Sequence, residues 1–302
     1  MTGSVRVAGS TTLLPMISQS SAVFAVDAPL VELDIRMTGS ADGAVLFCDD
    51  LVPITGSSRP FNERELASCA ASGIRFTRLL VARDAVALMV GRDAPVTCLS
   101  QQQIYALAGP QSVDVATWSE ASTVIPKAGE NLPPLQLTVI GPGSSSGTRQ
   151  TLVDLAIAPL AKERDVTPGL RPDYVDQPAE QLIRNAMLSQ PGALGIAGLA
   201  TASAWGNTVK LLEADFGDGC EGPSAEAINT GRYPLARELY VYVNLDAVAS
   251  SPAQQAFVDH LVSDEGLSIA GEVGGVALSP DETAAVQQHW RDAREQGKAD
   301  VA

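Results

Sequence analysis

The sequence predicts an α/β fold built from two domains. The chain has 302 residues, which is about twice the size of a typical domain. Along most of its length, short β-rich runs alternate with segments of helical periodicity, a pattern typical of α/β proteins. Hydrophobic residues make up 45% of the chain and charged residues 18%, as in ordinary globular proteins.

The first part of the chain contains three short strands, each followed by a helix. The predicted elements are a strand over 5–8, a helix over 12–25, a strand over 30–37, a helix beginning within 43–48, a strand over 52–55 and a helix over about 62–72. Asn62 and Glu65 have the spacing of a capping box, which marks the beginning of the last of these helices.

Two longer β-rich runs, 76–90 and 239–244, flank a second α/β block. This block is predicted to contain a strand over 135–140 and helices over 148–162 and 179–189, with Pro/Gly-rich loops over 126–134 and 217–223. The tail is predicted to form amphipathic helices over 252–262 and 281–295.

The charge balance excludes several classes of partner. Lys and Arg number 20 and Asp and Glu number 35, which leaves a net charge of −15. This balance argues against a nucleic-acid partner or an anionic membrane surface, since both require a basic patch. The two histidines and four cysteines occur in neither CxxC nor HxxxH spacing, so no zinc site is predicted. No other metal ion and no cofactor is predicted.

No membrane helix or secretion signal is recognisable in the sequence. The longest apolar stretches are shorter than the ~18–20 residues that a membrane helix needs. The stretch 11–26 lacks a basic start and is interrupted by Pro15 and by several polar residues. We therefore interpret it as a helix of the folded protein.

The cysteines are even in number and widely spaced, at positions 48, 69, 98 and 220. Spacing alone is compatible with four buried free thiols. It is equally compatible with two structural disulfides in an oxidising compartment.

One pattern repeats where predicted strands lead into helices, namely a glycine followed by small hydroxyl residues. It occurs at four junctions, 9–12, 39–40, 56–58 and 143–148. Hydroxyls together with the unpaired N–H groups at a helix N-terminus can bind an anion. Ordinary N-capping explains any single junction, but four of them at the carboxyl ends of strands favour a ligand site. We expect their donors to converge in a cleft between the two domains.

The fourth junction also fits a competing motif. Gly143, Ser145 and Gly147 satisfy G-x-S-x-G, the nucleophile elbow of serine hydrolases. This alternative needs a downstream histidine on a loop, whereas His260 and His289 both lie in predicted helices, where we expect them to be solvated. A Walker A loop is excluded because Gly-Lys-Ser/Thr does not occur.

With these segments the chain resembles PstS-type phosphate-binding proteins, the soluble receptors of phosphate ABC importers. The resemblance covers nearly the whole chain and depends on the order and spacing of several motifs. Residues 7–15 are similar to the family's opening Gly-Ser-Thr-Thr segment, and residues 39–43 to its second Gly-Ser turn. Residues 56–60 are similar to its "ASRP" segment, and residues 141–148 to its Ser-Gly-Thr loop. Supporting matches lie at 117–120, 191–195 and 233–240.

The resemblance implies a two-lobe periplasmic-binding-protein fold of type II, with two hinge strands and an interdomain ligand cleft. The lobes would be 1–82 plus 241–302, and 83–240. The function implied is high-affinity binding of inorganic phosphate for delivery to the membrane permease of an ABC importer, by a monomer without enzymatic activity. Together with the cysteine pattern, it implies a periplasmic or cell-surface location.

The phosphate ligands that the resemblance implies lie at all four junctions. They are Thr11, Thr12, Ser40, Ser58, Ser146, Gly147, Thr148 and Arg149, with Ser10, Asp42, Arg59, Ser144 and Ser145 as further candidates. Arg59 would brace its loop, and Asp42 is the nearest acidic candidate to accept the proton of hydrogen phosphate. Some members of the family carry Asp where Ser58 stands, and others carry Arg where Pro142 stands. A receptor for another oxyanion, such as arsenate or sulfate, therefore stays a second alternative.

The resemblance also implies how the cysteines pair. Their placement resembles one branch of the family, and the implied lobes would contain Cys48 with Cys69 and Cys98 with Cys220. We therefore expect the disulfides Cys48–Cys69 and Cys98–Cys220, since a bridge between the lobes would clamp the hinge.

Overall fold

A computed structural model describes residues 1–36, 38–144, 146–177 and 180–299. Met37 and Ala179, at which a predicted strand ends and a predicted helix begins, lie outside these residues. Among the described helices, none combines the length and the apolar composition of a membrane span.

The described residues form a mixed α/β structure, as predicted. The strands are β1 Gly3–Gly9, β2 Val31–Arg36, β3 Ile54–Ser57, β4 Phe76–Gly91, β5 Cys98–Ser100, β6 Thr138–Pro142, β7 Val175–Gln177, β8 Ala193–Gly198, β9 Val209–Leu211, β10 Glu213–Asp215 and β11 Ala236–Asn244. The helices are α1 Leu14–Asp27, α2 Ser40–Cys48, α3 Glu63–Ala71, α4 Gln101–Ala108, α5 Gly147–Leu152, α6 Ala158–Glu163, α7 Glu180–Ser189, α8 Leu199–Ala204, α9 Ala225–Asn229, α10 Leu245–Ala249, α11 Pro252–Leu261, α12 Asp264–Glu272 and α13 Pro280–Ala299.

The chain divides into two compact units. Unit 1 comprises Met1–Asp84 and Arg237–Ala302, and unit 2 comprises Ala85–Ala236. Relative to the expected lobes, unit 1 begins its return segment at Arg237 instead of residue 241 and ends its first segment at Asp84 instead of residue 82.

Unit 1 contains a sheet in the order β2-β1-β3-β11-β4. Strand β1 runs parallel to β2 and β3, whereas β11 runs antiparallel to β3. One face of the sheet packs on α1, α11, α12 and α13 through a large apolar cluster that includes Phe257 and Trp290. The other face packs on α2 and α3, with Phe47, Phe61 and Tyr242 in its core. The rings of Phe61 and Tyr242 are stacked with their centroids 3.7 Å apart.

The boundary between the units falls within β4, after Asp84. Unit 2 contains the second part of β4, next to which β8, β6 and β7 follow in that order, and β9 is also paired to β4. Strand β6 runs parallel to both β7 and β8. A separate pair of short strands, β5 and β10, is parallel. Trp118 is buried in the core, where its indole N–H donates to Gly192 O at 2.8 Å.

Several predicted elements need correction. Helix α2 begins at Ser40, earlier than expected, and β3 is shifted toward the carboxyl end of the predicted strand. The predicted helix over 148–162 is helical throughout, but it contains a π-helical segment, Val153–Ile157, between α5 and α6. Pro159 lies just after this segment and has no N–H to continue the α-helical pattern. Strand β8 and helix α12, both interrupted by glycines, were not predicted.

Two local predictions are confirmed. Asn62 accepts a hydrogen bond from the Glu65 N–H while the Glu65 side chain accepts one from the Asn62 N–H, which completes the predicted capping box. Cys48 is bonded to Cys69 in unit 1, and Cys98 is bonded to Cys220 in unit 2. All four cysteines are therefore paired, and each bridge lies within one unit.

Helix α13 is attached to β4 by a buried arginine. The Arg83 guanidinium donates to both carboxylate oxygens of Glu282, at 2.6 and 3.2 Å, and also to Glu238. The hydrogen bonds from Arg83, together with weaker contributions from Ser279, lower the pKa of the Glu282 carboxyl to about 2, against the effect of its partial burial. The backbone of Arg83 is also paired with that of Val276 in an isolated antiparallel bridge.

The position of Gly43 in α2 allows this helix to approach β1 closely. A Cβ at Gly43 would overlap Gly9 Cα and Thr55 Oγ1. We therefore expect Gly43→Ala to lower the free energy of unfolding by ~1–3 kcal/mol, despite the higher helix propensity of alanine. Chemical denaturation measures this, with Gly271→Ala in α12 as the control, because a Cβ there makes only an ordinary contact with Ala277. Equal stability of the two variants would contradict the close approach.

The Glu282 carboxyl makes part of the stability dependent on pH. Because its pKa is lower in the folded state than in the unfolded chain, it contributes stability above about pH 4.5 that is lost as the pH falls toward 2. Glu282→Gln should therefore be less stable than the parent protein near neutral pH, with the difference shrinking below pH 4.5. Denaturation curves between pH 2 and 7 measure this difference, and Glu265→Gln, at an exposed position of α12, should retain the parental profile.

Candidate functional site

Three of the glycine–hydroxyl junctions lie together in unit 1. They follow β1, β2 and β3, and the carboxyl ends of parallel strands meet at one edge of a sheet. Backbone hydrogen bonds join the loops, since Gly39 N–H donates to Gly9 O at 2.8 Å and Ser10 N–H donates to Gly56 O at 2.9 Å. The three loops therefore form one connected edge.

Gly9 is required for this close approach. Its φ of +117° lies in a region that L-residues with side chains rarely adopt. A Cβ at Gly9 would also overlap the backbone of Gly56. The glycine of the first junction thus has a structural role that the pattern of residues alone could not distinguish from a helix cap.

Two of the expected ligand residues are hydrogen-bonded to each other. The hydroxyl oxygens of Ser40 and Ser58 lie 3.2 Å apart, and the Ser58 N–H donates to Ser40 Oγ at 3.1 Å. Ser40 is the first residue of α2, and Ser58 follows β3. Both residues are half-buried.

A guanidinium that was not predicted as a site residue lies beside these hydroxyls. Arg237, near the beginning of β11, donates through Nη1 to Ser58 Oγ at 3.2 Å and through Nη2 to Thr12 Oγ1 at 2.6 Å. Its side chain is only 8% exposed. We call Thr12, Ser40, Ser58 and Arg237 the hydroxyl–arginine cluster.

Asp84 pairs with this arginine. Its Oδ2 atom lies 3.5 Å from Arg237 Nη2, and its side chain is 11% exposed. A charge buried to this extent is costly unless it is paired. The carboxylate therefore compensates the guanidinium and helps to hold it beside the hydroxyls.

The other predicted residues of unit 1 lie around this cluster. Ser10 Oγ accepts a hydrogen bond from the Thr12 N–H at 3.3 Å and thus caps the turn. Thr11 and Asp42 are exposed, and Asp42 lies in the first turn of α2. Arg59 forms a bidentate pair with Glu65, as expected for a residue that braces its loop. Asp84 is an acidic residue in contact with the cluster, and the role of Asp42 as acceptor of the proton of hydrogen phosphate stays a prediction.

The fourth junction, in unit 2, leads from β6 into α5. Ser146 is the N-cap of α5, and its Oγ accepts the Arg149 N–H at 3.5 Å. Its own N–H donates to Gly143 O at 3.0 Å. Gly147, Thr148 and Arg149 are half-buried, Ser144 is exposed, and Ser145 lies outside the described residues.

Arg149 is held over an aromatic ring. Its guanidinium lies 4.9 Å from the centroid of Tyr174, a cation–π contact. The Tyr174 hydroxyl donates to Pro142 O at 2.9 Å, and burial raises the pKa of this phenol. The phenol is thus neutral, and the loop carries a positive charge in a defined position.

The two histidines have hydrogen-bond partners within unit 1. The imidazole of His260, in α11, is bonded to Ser20 O at 3.1 Å, and that of His289, in α13, to Thr77 Oγ1 at 2.8 Å. Both lie in helices, as predicted, although His260 is half-buried against Phe24, whereas a solvated residue was expected. The hydrolase alternative requires a histidine on a loop, and neither histidine is on one.

A signal for the missed residues was present in the sequence. The pair Arg83-Asp84 interrupts a long β-rich run, and the pair Arg237-Glu238 directly precedes another. Charged residues inside buried strands need partners of opposite charge. Two such strands predict an ion pair between them, but they do not specify which of the charged residues will meet.

Comparison with known proteins yields one family match. The family model described as "PBP superfamily domain" matches residues 2–265. The chain is also 25% identical to Protein SphX of Synechocystis sp. over 282 residues, which are 92% of this chain and 79% of SphX. It is 26% identical to phosphate-binding protein PstS of Pseudomonas aeruginosa over 286 residues, 92% of this chain and 84% of that protein.

Two solved structures with the same fold come from bacteria. A possible phosphate binding protein from Planctomyces limnophilus matches with a TM-score of 0.83 and 24% identity, over 97% of this chain and 99% of its own. An ABC-type phosphate transport receptor from Vibrio cholerae matches with a TM-score of 0.69 and 18% identity, over 91% and 99% of the two chains. At these identities the likeness shows the fold alone.

The pairing of Asp84 with Arg237 can be tested through stability. Arg237→Gln should lower the free energy of unfolding by ~3–5 kcal/mol, because it removes the guanidinium beside a buried carboxylate. Asp84→Asn combined with Arg237→Gln should recover most of this loss, since neither charge then remains. Denaturation of the two single variants and the double variant measures the coupling, and strictly additive losses would contradict the ion pair.

Proposed function

Because the chain belongs to the PBP superfamily, which confirms the predicted periplasmic-binding-protein fold, we propose that it is a PstS-type receptor of inorganic phosphate. It binds phosphate reversibly for delivery to the membrane permease of an ABC importer. The observation that carries the proposal is the hydroxyl–arginine cluster, in which three hydroxyls and a guanidinium converge at one sheet edge. The similarity to phosphate-binding protein PstS of Pseudomonas aeruginosa supports it.

The hydrogen bonds of Arg237 suit the cluster to an anion. The guanidinium donates to the oxygens of Thr12 and Ser58, and accepting such a bond uses no hydroxyl hydrogen. The hydrogen of the Thr12 hydroxyl and one hydrogen of the bonded Ser40–Ser58 pair therefore stay available for another acceptor. A hydroxyl that accepts from a cation becomes a better donor, because hydrogen bonds in a chain polarise one another. The cluster therefore offers donors, which a phosphate oxygen accepts.

The loop of unit 2 is proposed to supply further phosphate ligands. Ser146 begins a helical segment that extends through α5, the π-helical segment and α6. The first N–H groups of such a segment have no acceptor within the helix, and its dipole favours an anion. We propose Gly147 and Thr148, in the first turn of this segment, as phosphate ligands, while Arg149 would contribute positive charge.

The energetics support tight binding without a chemical step. Hydrogen bonds to a charged oxyanion contribute about 1.5–3 kcal/mol each, so several of them offset its dehydration. The net charge of −15 opposes phosphate at long range, but salt screens this effect beyond ~8–10 Å. The donors within contact distance therefore determine affinity.

The disulfides and the histidines bear on the location and the activity of the protein. Two disulfides fit an oxidising compartment, so we propose a periplasmic or cell-surface location. We also propose that the receptor is a monomer without enzymatic activity. The hydrogen bonds of His260 and His289 favour this over the serine hydrolase alternative.

Calorimetric titration of the ligand-free protein with phosphate tests the proposal. We expect saturable binding with a Kd of about 1 μM or tighter, which corresponds to ~8 kcal/mol or more. Protein freed of phosphate by partial unfolding and dialysis is required, because a tight ligand copurifies. Absence of both heat and a thermal shift at millimolar phosphate would contradict the function. Tighter binding of arsenate or sulfate would favour the second alternative, and labelling of Ser145 by a fluorophosphonate would favour the hydrolase.

Variants locate the site within the same titration. Ser58→Ala in unit 1 and Ser146→Ala in unit 2 should each weaken phosphate binding by ~1–3 kcal/mol. Ser268→Ala in α12 and Ser189→Ala in α7, which remove exposed hydroxyls of the same type in the same units, should bind as the parent does. Unchanged affinity in both site variants would move the site elsewhere.

A further inference from the structure

Glu65 anchors the loop that carries Ser58. Its two carboxylate oxygens accept from Arg59 Nη2 at 2.7 Å and Nη1 at 2.8 Å, and one of them also accepts the Asn62 N–H at 2.8 Å. The Glu65 side chain is only 13% exposed. Burial by itself raises the pKa of this carboxyl, but the hydrogen bonds from Arg59 and Asn62 lower it below its ordinary value. Glu65 is therefore charged at neutral pH.

Arg59 connects Glu65 to the backbone next to Ser58. The Ser57 hydroxyl donates to Arg59 O at 2.6 Å, and the guanidinium also donates to Pro60 O at 3.0 Å. The backbone that follows Ser58 is thus bonded to the side chains of Ser57 and Arg59. The bidentate pair with Glu65 then holds this segment against the first turn of α3.

Helix α3 is in turn attached to the helix that carries Ser40. Cys69 of α3 is bonded to Cys48, the last residue of α2. The Cys48 sulfur also lies 3.5 Å from Glu65 O. Ser40 is the first residue of α2, so its position relative to Ser58 depends on how α2 and α3 are joined.

We propose that Glu65 is a positioning residue for anion binding, which fixes Ser58 beside Ser40 through Arg59 and α3. This inference rests on the proposed binding of phosphate by the hydroxyl–arginine cluster. Glu65 does not touch the anion. It maintains the 3.1 Å bond between Ser58 N–H and Ser40 Oγ, on which the orientation of both hydroxyls depends.

The charge of Glu65 makes the proposal sharply testable. A negative charge near an anion site disfavours the anion. If electrostatics alone determined the affinity for phosphate, removal of the Glu65 charge should strengthen binding. Loss of positioning should instead weaken binding, because misplaced donors no longer meet the ligand. The two effects of Glu65→Gln therefore have opposite signs.

The experiment measures phosphate affinity for Glu65→Gln and for Glu63→Gln, which removes the same charge from an exposed position in the same turn of α3. We expect Glu65→Gln to bind phosphate about 5–20-fold more weakly, mainly through faster release, and Glu63→Gln to stay within about twofold of the parent. Titrations are made at a temperature at which circular dichroism shows each variant to be folded. Equal or tighter binding by Glu65→Gln would overturn the proposal.

A second pair of variants covers the case in which Glu65→Gln does not fold. Arg59→Gln removes the other member of the pair and keeps the Glu65 carboxylate, and Arg64→Gln is its exposed control on α3. We expect Arg59→Gln to weaken binding to the same extent, and the double variant Arg59→Gln/Glu65→Gln to be no weaker than either single variant. Additive losses would overturn the proposal while leaving phosphate binding intact. Failure of the parent protein to bind phosphate would instead overturn the proposed function, and this inference with it.

Discussion

The arrangement of the site in unit 1 depends on one buried cation. Arg237 is 8% exposed, so its guanidinium has to be satisfied by the groups around it. Three of these groups come from separate segments, with Thr12 after β1, Ser58 after β3 and Asp84 on β4. The loops after β1 and β3 and the strand β4 are thereby held to the same point, and the loop after β2 is joined to it through Ser40 and Ser58. In the proposed phosphate site, the hydroxyls of Thr12 and Ser58 are oriented for a ligand because a cation of the protein already uses their oxygens as acceptors.

This constraint also governs how charge is distributed near the ligand. Asp84 compensates the guanidinium, so the pair as a whole is close to neutral. In the proposed site, an entering anion would therefore be held by oriented donors instead of by a bare positive charge. Such a site depends on geometry, because a hydrogen bond weakens steeply when it is bent or stretched. The surrounding structure supplies that geometry. Gly9 and Gly43 allow close approach of the backbone, and the Cys48–Cys69 bridge joins the two helices next to the loops.

Local features of the fold were predictable from the sequence, and pairings between distant residues were not. The capping box at Asn62 and Glu65 depends on residues three apart, and the glycine–hydroxyl junctions depend on neighbours, so pattern alone identified both. The disulfides required the family resemblance, since spacing allowed free thiols. Asp84 and Arg237 are 153 residues apart, and their contact follows from the register of two strands that no local pattern specifies. The π-helical segment was not predicted, because the sequence pattern is helical on both sides of Pro159.

The register of β4 connects the site to the rest of unit 1. Successive side chains of a strand point to opposite faces, and on β4 Arg83 meets Glu282 of α13 while Asp84 meets Arg237 of β11. A shift by one residue would exchange the two faces. A shift in one direction would place Arg83 against Arg237, and a shift in the other direction would place Asp84 against Glu282, so either shift brings like charges together. The opposite signs of two consecutive residues therefore specify the register that an apolar run of this length would leave poorly defined. The same two residues, Arg83 and Asp84, therefore determine both how α13 is attached to one face and where Arg237 lies on the other.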